Sequence, residues 1–233
     1  MTVKLGPVLC LMALVVAMDT RGAVAQQHRV IFDTDFAVPP QDDGMALILA
    51  LHSQEIEILG ITTVAGNFSM ERATSDVLRV LEIAQRTDIP VYRGANMPLV
   101  HEKSEYATLV WGEWWSDEPP PLPPGGFATK QAEVIGAAEF IVQTVKAHPG
   151  EITIVAIGPL TNVAMAIRQA PDIAPNVKQV VIMGGAISRL PDGHGNVTPN
   201  AEFNFWVDPE AARAVLRSGI PIVLSPLNVS RKT

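Results

Sequence analysis

Val30-Ile31-Phe32-Asp33-Thr34-Asp35 decides how the rest of the chain is read. An apolar run stops in two acids. A short loop from Phe36 to Gln41, containing Pro39-Pro40, leads to Asp42-Asp43-Gly44, and a helical pattern runs from Met45 to Leu51. The run describes a buried strand whose tip carries Asp33 and Asp35. Asp is favoured at a helix start, as a cap and by the positive end of the dipole. Capping accounts for Asp42 and Asp43 but not for the two acids on the preceding strand tip. Carboxylates this close raise one another's pKa unless something positive neutralises them. A hard cation with oxygen ligands, Ca²⁺ or Mg²⁺, would do so.

Outward from this stretch, short apolar strands alternate with helical segments. The strand candidates are Arg29–Phe32, Glu57–Thr62, Val91–Tyr92, Ile152–Ile157, Gln179–Met183 and Pro221–Leu224. The helical candidates are Asp43–Ser53, Met70–Arg86, Lys130–Ala147, Thr161–Gln169 and Pro209–Ser218. Wholly apolar strands separated by helices predict an α/β fold: an open, mainly parallel, Rossmann-like sheet with helices on both faces. No internal repeat is visible.

In such a sheet ligands bind outside the carboxyl ends of the strands. Asp33 and Asp35 follow the first strand, and Thr62-Thr63-Val64-Ala65-Gly66-Asn67 the second. Gly158-Pro159-Leu160-Thr161-Asn162, Met183-Gly184-Gly185 and Pro226-Leu227-Asn228 follow later ones. Ordinary turns also use Gly and Asn, so the convergence of these groups on one edge is what points to a site. Gly195 to Phe205 adds Asn196, Glu202 and Asn204 in a polar stretch. Asn offers a donor and an acceptor, and Glu accepts through two oxygens, which suits a sugar diol. A turn-rich loop leading into the helix after Asp208-Pro209 is the plainer account.

The chain has 233 residues, 48% hydrophobic and 18% charged, with a formal charge of −7. This fits one globular α/β domain and argues against a phosphate-tracking nucleic-acid binder. Lys4, the apolar stretch Leu5 to Met18 and Ala23-Val24-Ala25 read as a signal peptide over residues 1–25. Its removal takes away two basic residues, one acid and Cys10, the sole cysteine. The expected product, residues 26–233, is exported to a periplasm or secreted, with no membrane segment after cleavage. Residues 98–129 read as an irregular excursion, with Trp111, Trp114 and Trp115 beside a proline cluster at Pro119 to Pro124. The tryptophans either pack that excursion onto the core or stack on a flat ligand.

These residues together resemble the calcium-dependent nucleoside hydrolases of the inosine–uridine-preferring type. The resemblance rests on Asp33-Thr34-Asp35 with Asp42-Asp43, Ile61 to Asn67, Pro90 to Ala95, Gly158 to Ala164, Met183-Gly184-Gly185, Gly195-Asn196 through Asn204, and Asp208 to Ala212. It implies hydrolysis of the N-glycosidic bond of a small-molecule ribonucleoside, with Ca²⁺ as cofactor. Asp35 would be the general base and a metal ligand, Asp43 a second ligand and the Ile157 backbone carbonyl a third. Asp42, Asn67, Met183, Asn196, Glu202 and Asn204 would hold the ribose, with Asp33 supporting them from behind. The resemblance leaves room for a homo-oligomer.

The chain departs from the family's pattern in three places. The Asp35–Asp42 loop is longer than usual. Trp111-Gly112 stands where the family has His-Gly. The family's C-terminal part, with a further aspartate for the metal and a histidine for the leaving base, has no counterpart before Thr233, so the domain reads as C-terminally incomplete. Two alternatives follow. One is a non-catalytic nucleoside- or sugar-binding remnant or truncated product. The other is a phosphatase of the Asp-x-Asp type, which would leave Asp42-Asp43 and Asn196–Asn204 unexplained. His194, beside the proposed ribose clamp, is the one histidine with an expected functional bearing.

Overall fold

The computed structural model describes residues 27–37, 42–101 and 119–232. The signal-peptide reading, the Pro39-Pro40 loop and the three tryptophans of the excursion lie outside the described residues.

Six strands form one sheet: β1 (His28–Thr34), β2 (Ile56–Thr63), β3 (Val91–Arg93), β4 (Ile152–Ala156), β5 (Gln179–Met183) and β6 (Ile222–Ser225). Their order is β3-β2-β1-β4-β5-β6, and every pairing is parallel. The chain steps outward from β1 to β3, then returns to the other side of β1 and steps outward again. The direction therefore reverses between β1 and β4, which is where an open parallel sheet leaves a crevice for a ligand.

The helices among the described residues are α1 (Asp42–His52), α2 (Met70–Ile83), α3 (Ala137–Ala147), α4 (Thr161–Gln169), α5 (Phe203–Val207), α6 (Pro209–Leu216) and α7 (Leu227–Ser230), with a 3-10 turn over Pro171–Asn176. Strand alternation divides the core into two layers. Ile31, Ile154, Ala156, Val180 and Ile182 pack with α3, α4 and α6. Val30, Phe32, Ile58 and Ile61 pack with Leu47 and Leu51 of α1 and Val77 and Leu81 of α2. Phe36, 1% exposed, joins this second layer directly after Asp35 and so pins the strand tip. On the α1 side of the outer strands cover is thinner: Val155 and Val181 are half-buried, and Val223 is exposed. Among the described residues no helix is long and apolar enough to cross a membrane.

The helical pattern expected from Lys130 is overruled up to Gly136. Glu133 donates its backbone N–H to Val91 O (2.8 Å), Lys130 Nζ reaches Thr87 O (2.8 Å), and Ala128 and Ala132 pack into the α2 layer. Helix α3 starts only after Gly136. Helix α2 stops at Ile83, short of Arg86, because Gln85 takes a left-handed φ of 55°. Asp42 and Asp43 both lie inside the first turn of α1.

Candidate active site

Register brings the tip of β1 between its neighbours: Asp33 stands opposite Thr62 on β2 and Ala156 on β4. Asp33, Thr34 and Asp35 are all fully buried. Asp33 Oδ1 accepts hydrogen bonds from Thr62 Oγ1 (2.5 Å) and Asn162 Nδ2 (2.7 Å), while its Oδ2 has no partner. Asp35 Oδ2 accepts from the Asn67 backbone N–H (2.6 Å), and its Oδ1 is buried without a partner. Asp43 Oδ1 accepts from Thr34 Oγ1 (2.5 Å).

Two glycines make room for Asp35. A Cβ at Gly66 would collide with its carboxylate, and one at Gly158 would lie 2.7 Å from Oδ1. Burial lifts the Asp33 carboxyl to about 6, against the pull of its two hydrogen bonds. Burial also lifts Asp43 to about 6, with the Asp42 charge adding to it. Asp35 is pushed well above the carboxylate range by burial first and by the Asp43 charge second. Burial strips these carboxyls of solvent, and for Asp35 and Asp43 the neighbouring acid adds like charge, so the ionised forms are disfavoured.

The opposite wall comes from the segment after β5. Glu202 caps the short helix α5: Oε1 accepts from Asn204 N (2.9 Å), and Oε2 from Gly185 N (2.8 Å) and Phe205 N (3.1 Å). Asn204 Nδ2 donates to Ile157 O (2.9 Å) and Met183 O (3.1 Å), so it ties the ends of β4 and β5 together. Asn196 Oδ1 accepts from Phe203 N (2.9 Å). Between the walls lies a cavity of about 180 Å³. It is lined by Asp42, Asp43, Asn67, Ile157, Met183, Asn196, Glu202 and Asn204, together with Ala46 and Phe203.

Eight of the ten residues singled out in the sequence therefore share one cavity. Asp33 and Asp35 are not on its wall and are fully buried. Four supporting residues have no assigned role in the sequence reading. Asn162 bridges the tips of β1 and β2 to the segment after β3, bonding Asp33, Thr63 O and Ala95 N. Asp208, fully buried, accepts from Leu99 N, Thr161 Oγ1 and Ala211 N, tying the start of the excursion to α4 and α6. Arg231 donates to the backbone carbonyls of Asp192, His194 and Gly195, and Asn228 bonds Ile187 and Pro191. Together they brace the loop leading to Asn196. His194 Nδ1 bonds the Gly195 carbonyl (2.9 Å).

Two carboxylates with an orphaned buried oxygen fit a divalent cation, because a cation would supply the partner that Asp35 Oδ1 lacks. Among the described residues no group of three or more His, Cys, Asp or Glu is placed to hold a metal. A cation held there by Asp35 and Asp43 would need further oxygen ligands, since a hard divalent cation takes about six or more.

Known proteins with the same sequence pattern and fold bear on this site. Pyrimidine-specific ribonucleoside hydrolase RihB of Escherichia coli is 38% identical over 208 residues, which is 89% of this chain and 62% of that protein. An uncharacterized protein of Schizosaccharomyces pombe is 45% identical over 205 residues, 88% of this chain and 62% of that protein. Among solved structures, the plant nucleoside hydrolase PpNRh1 superposes with a TM-score of 0.73 at 35% identity, covering 88% of this chain and 62% of its own. A purine-preferring ribonucleoside hydrolase from Gardnerella vaginalis gives 0.71 at 32%, covering 85% and 60%. The chain thus spans a little over three fifths of the length of these relatives. A family model described as inosine-uridine preferring nucleoside hydrolase matches residues 30–233, and the chain belongs to that family.

Proposed function

We propose that this chain hydrolyses the N-glycosidic bond of ribonucleosides to ribose and free base. The observation that carries the proposal is Asp35, a buried carboxylate with an unpartnered Oδ1 beside Asp43, which itself lines a cavity together with Asp42, Asn67, Asn196, Glu202 and Asn204. In this reading Asp35, Asp43 and the Ile157 carbonyl hold a divalent cation, calcium. When bound, the cation supplies a water of lowered pKa and offsets the repulsion between the two carboxylates.

The remaining work belongs to the chain. Asp35 takes the proton of the attacking water, a role typically worth about 10²–10⁴ in rate. Asp42, Asn67, Asn196, Glu202 and Asn204 grip the ribose hydroxyls, with Met183 against the sugar. Glycosidic cleavage passes through an oxocarbenium-like state, and the carboxylates around the sugar stabilise its positive charge. The relatives' names divide between pyrimidine-specific and purine-preferring, so the proposal covers ribonucleosides as a class. The N-terminal pattern of Lys4, Leu5 to Met18 and Ala23-Val24-Ala25 supports export of the mature chain.

The test is ribose release from a panel of purine and pyrimidine nucleosides, with calcium or chelator and with Asp35→Asn beside wild type. Calcium-dependent release that the variant loses supports the proposal. Nucleoside binding without release, from folded protein, supports a binding module instead.

A further inference from the structure

We propose that Asn162 is a positioning residue that sets the geometry of Asp35 from a distance; its catalytic consequence rests on the hydrolase reading above. Asn162 lies in the first turn of α4 and is 1% exposed. Its Nδ2 donates to Asp33 Oδ1 (2.7 Å) and to Thr63 O (3.0 Å), and its Oδ1 accepts from Ala95 N (2.8 Å). One amide thus joins the tips of β1 and β2 to the segment leaving β3.

The connection continues to Asp35. The Ala95 carbonyl accepts from Ala65 N (2.9 Å), and two residues further on the Asn67 N–H donates to Asp35 Oδ2 (2.6 Å). Gly66, between them, lies so close that a Cβ there would collide with the Asp35 carboxylate. Asn162 therefore holds both supports of Asp35. One is the strand position two residues before it, and the other is the 64–68 loop that fixes its carboxylate. Gly94 is shaped for the same purpose, since a Cβ there would collide with the Asn162 amide and with Thr63 O.

Thr62 provides the control. Its hydroxyl donates to the same Asp33 oxygen at 2.5 Å, and among the described residues it makes no side-chain bond to the 94–95 segment. If Asn162 serves only to satisfy Asp33, Thr62→Val and Asn162→Ala should behave alike. If Asn162 positions Asp35 through the loop, only the Asn162 variant should disturb it.

The experiment compares Asn162→Ala and Thr62→Val by steady-state kinetics on a cleaved nucleoside and by amide hydrogen exchange of residues 64–68. Asn162→Ser, which keeps a polar group in the gap, is measured beside them in case the alanine variant does not fold. In the Asn162 variants kcat is expected to fall roughly 10- to 100-fold, as for a small misplacement of a reacting group, with KM within about threefold. Exchange of the loop amides is expected to speed up at least about tenfold. Thr62→Val is expected to leave loop exchange and kcat within about threefold of wild type. Loop exchange unchanged in the Asn162 variants, or accelerated equally in Thr62→Val, overturns the inference. If wild type releases no ribose, the hydrolase reading fails, and the exchange arm alone still decides whether Asn162 orders the Asp35 loop.

Discussion

Asp35 and Glu202 are both buried carboxylates of one site, and burial raises the pKa of each. They differ in what meets their oxygens. Glu202 accepts three backbone N–H groups at the start of α5 and the turn after β5. Asp35 accepts one, keeps Oδ1 without a partner, and has the Asp43 charge beside it. A buried charge is tolerated when it is paired or well hydrogen-bonded. Glu202 meets that condition within the protein. Asp35 does not, and the proposed function has a cation supply what is missing. The hydrogen bonds of one acid shape the wall, and the other keeps an oxygen unpaired.

The contrast is broken most directly at Asp35. Asp35→Asn is expected to reduce ribose release about 10²–10⁴-fold while the protein stays folded, as read by steady-state assay and circular dichroism. An unchanged rate would remove Asp35 from the chemistry.

Glu202→Gln probes the other acid. The amide cannot accept through both ends, so one of the backbone donors now held by Oε2 or Oε1 is left unmet. A loss of about 1–3 kcal/mol in stability is expected, seen as a lower denaturant midpoint. A variant as stable as wild type would mean that the cap at α5 is dispensable.

pH sharpens the comparison. Asp33 and Asp43 have folded pKa values of about 6 against 3.8 for the free group. Between those values the folded cation-free protein binds more protons than the unfolded chain. The contribution of these two groups to the stability of that form therefore falls as pH rises from about 4 to about 6. For Asp33 the shift corresponds to about 3 kcal/mol. Thermal melting in chelator across this range should show the decline, and a melting point that climbs from pH 4 to 6 would contradict it. By the same logic Asp43→Asn removes an unfavourable charge. It should raise the cation-free melting temperature at pH 7 by a few degrees, since 1 kcal/mol moves a domain of this size about 2–4 °C. A lower melting temperature would show that the Asp43 charge is already compensated.

The strand tips and the main helices were legible because burial writes itself into local pattern. Val30 to Phe32 is uniformly apolar, and α4 and α6 begin where the sequence places them, at Thr161 and Pro209. The acids at the tip of β1 were legible because four of them crowd one short stretch. Glu202 read as a ribose ligand, and its capping of α5 was missed. Glu is not among the residues that usually cap, and α5 has only five residues. Asn162 stands in a strand-end stretch that the sequence marks, but its pairing with Asp33, 129 residues away, has no local signature. The segment 130–136 failed in the other direction, because tertiary bonds to Thr87 and Val91 overrode a helical pattern.

In the proposed function the carboxylates at Asp35 and Asp43 are completed by a divalent cation and Glu202 is not. Melting temperature at pH 7, with and without calcium, tests it on wild type, Asp35→Asn and Glu202→Gln. A ligand at about 100 times its Kd stabilises the folded state by about 2.7 kcal/mol. Calcium should therefore raise melting by several degrees in wild type and in Glu202→Gln, and leave Asp35→Asn unmoved. Equal shifts in all three proteins, or none in wild type, would contradict the account.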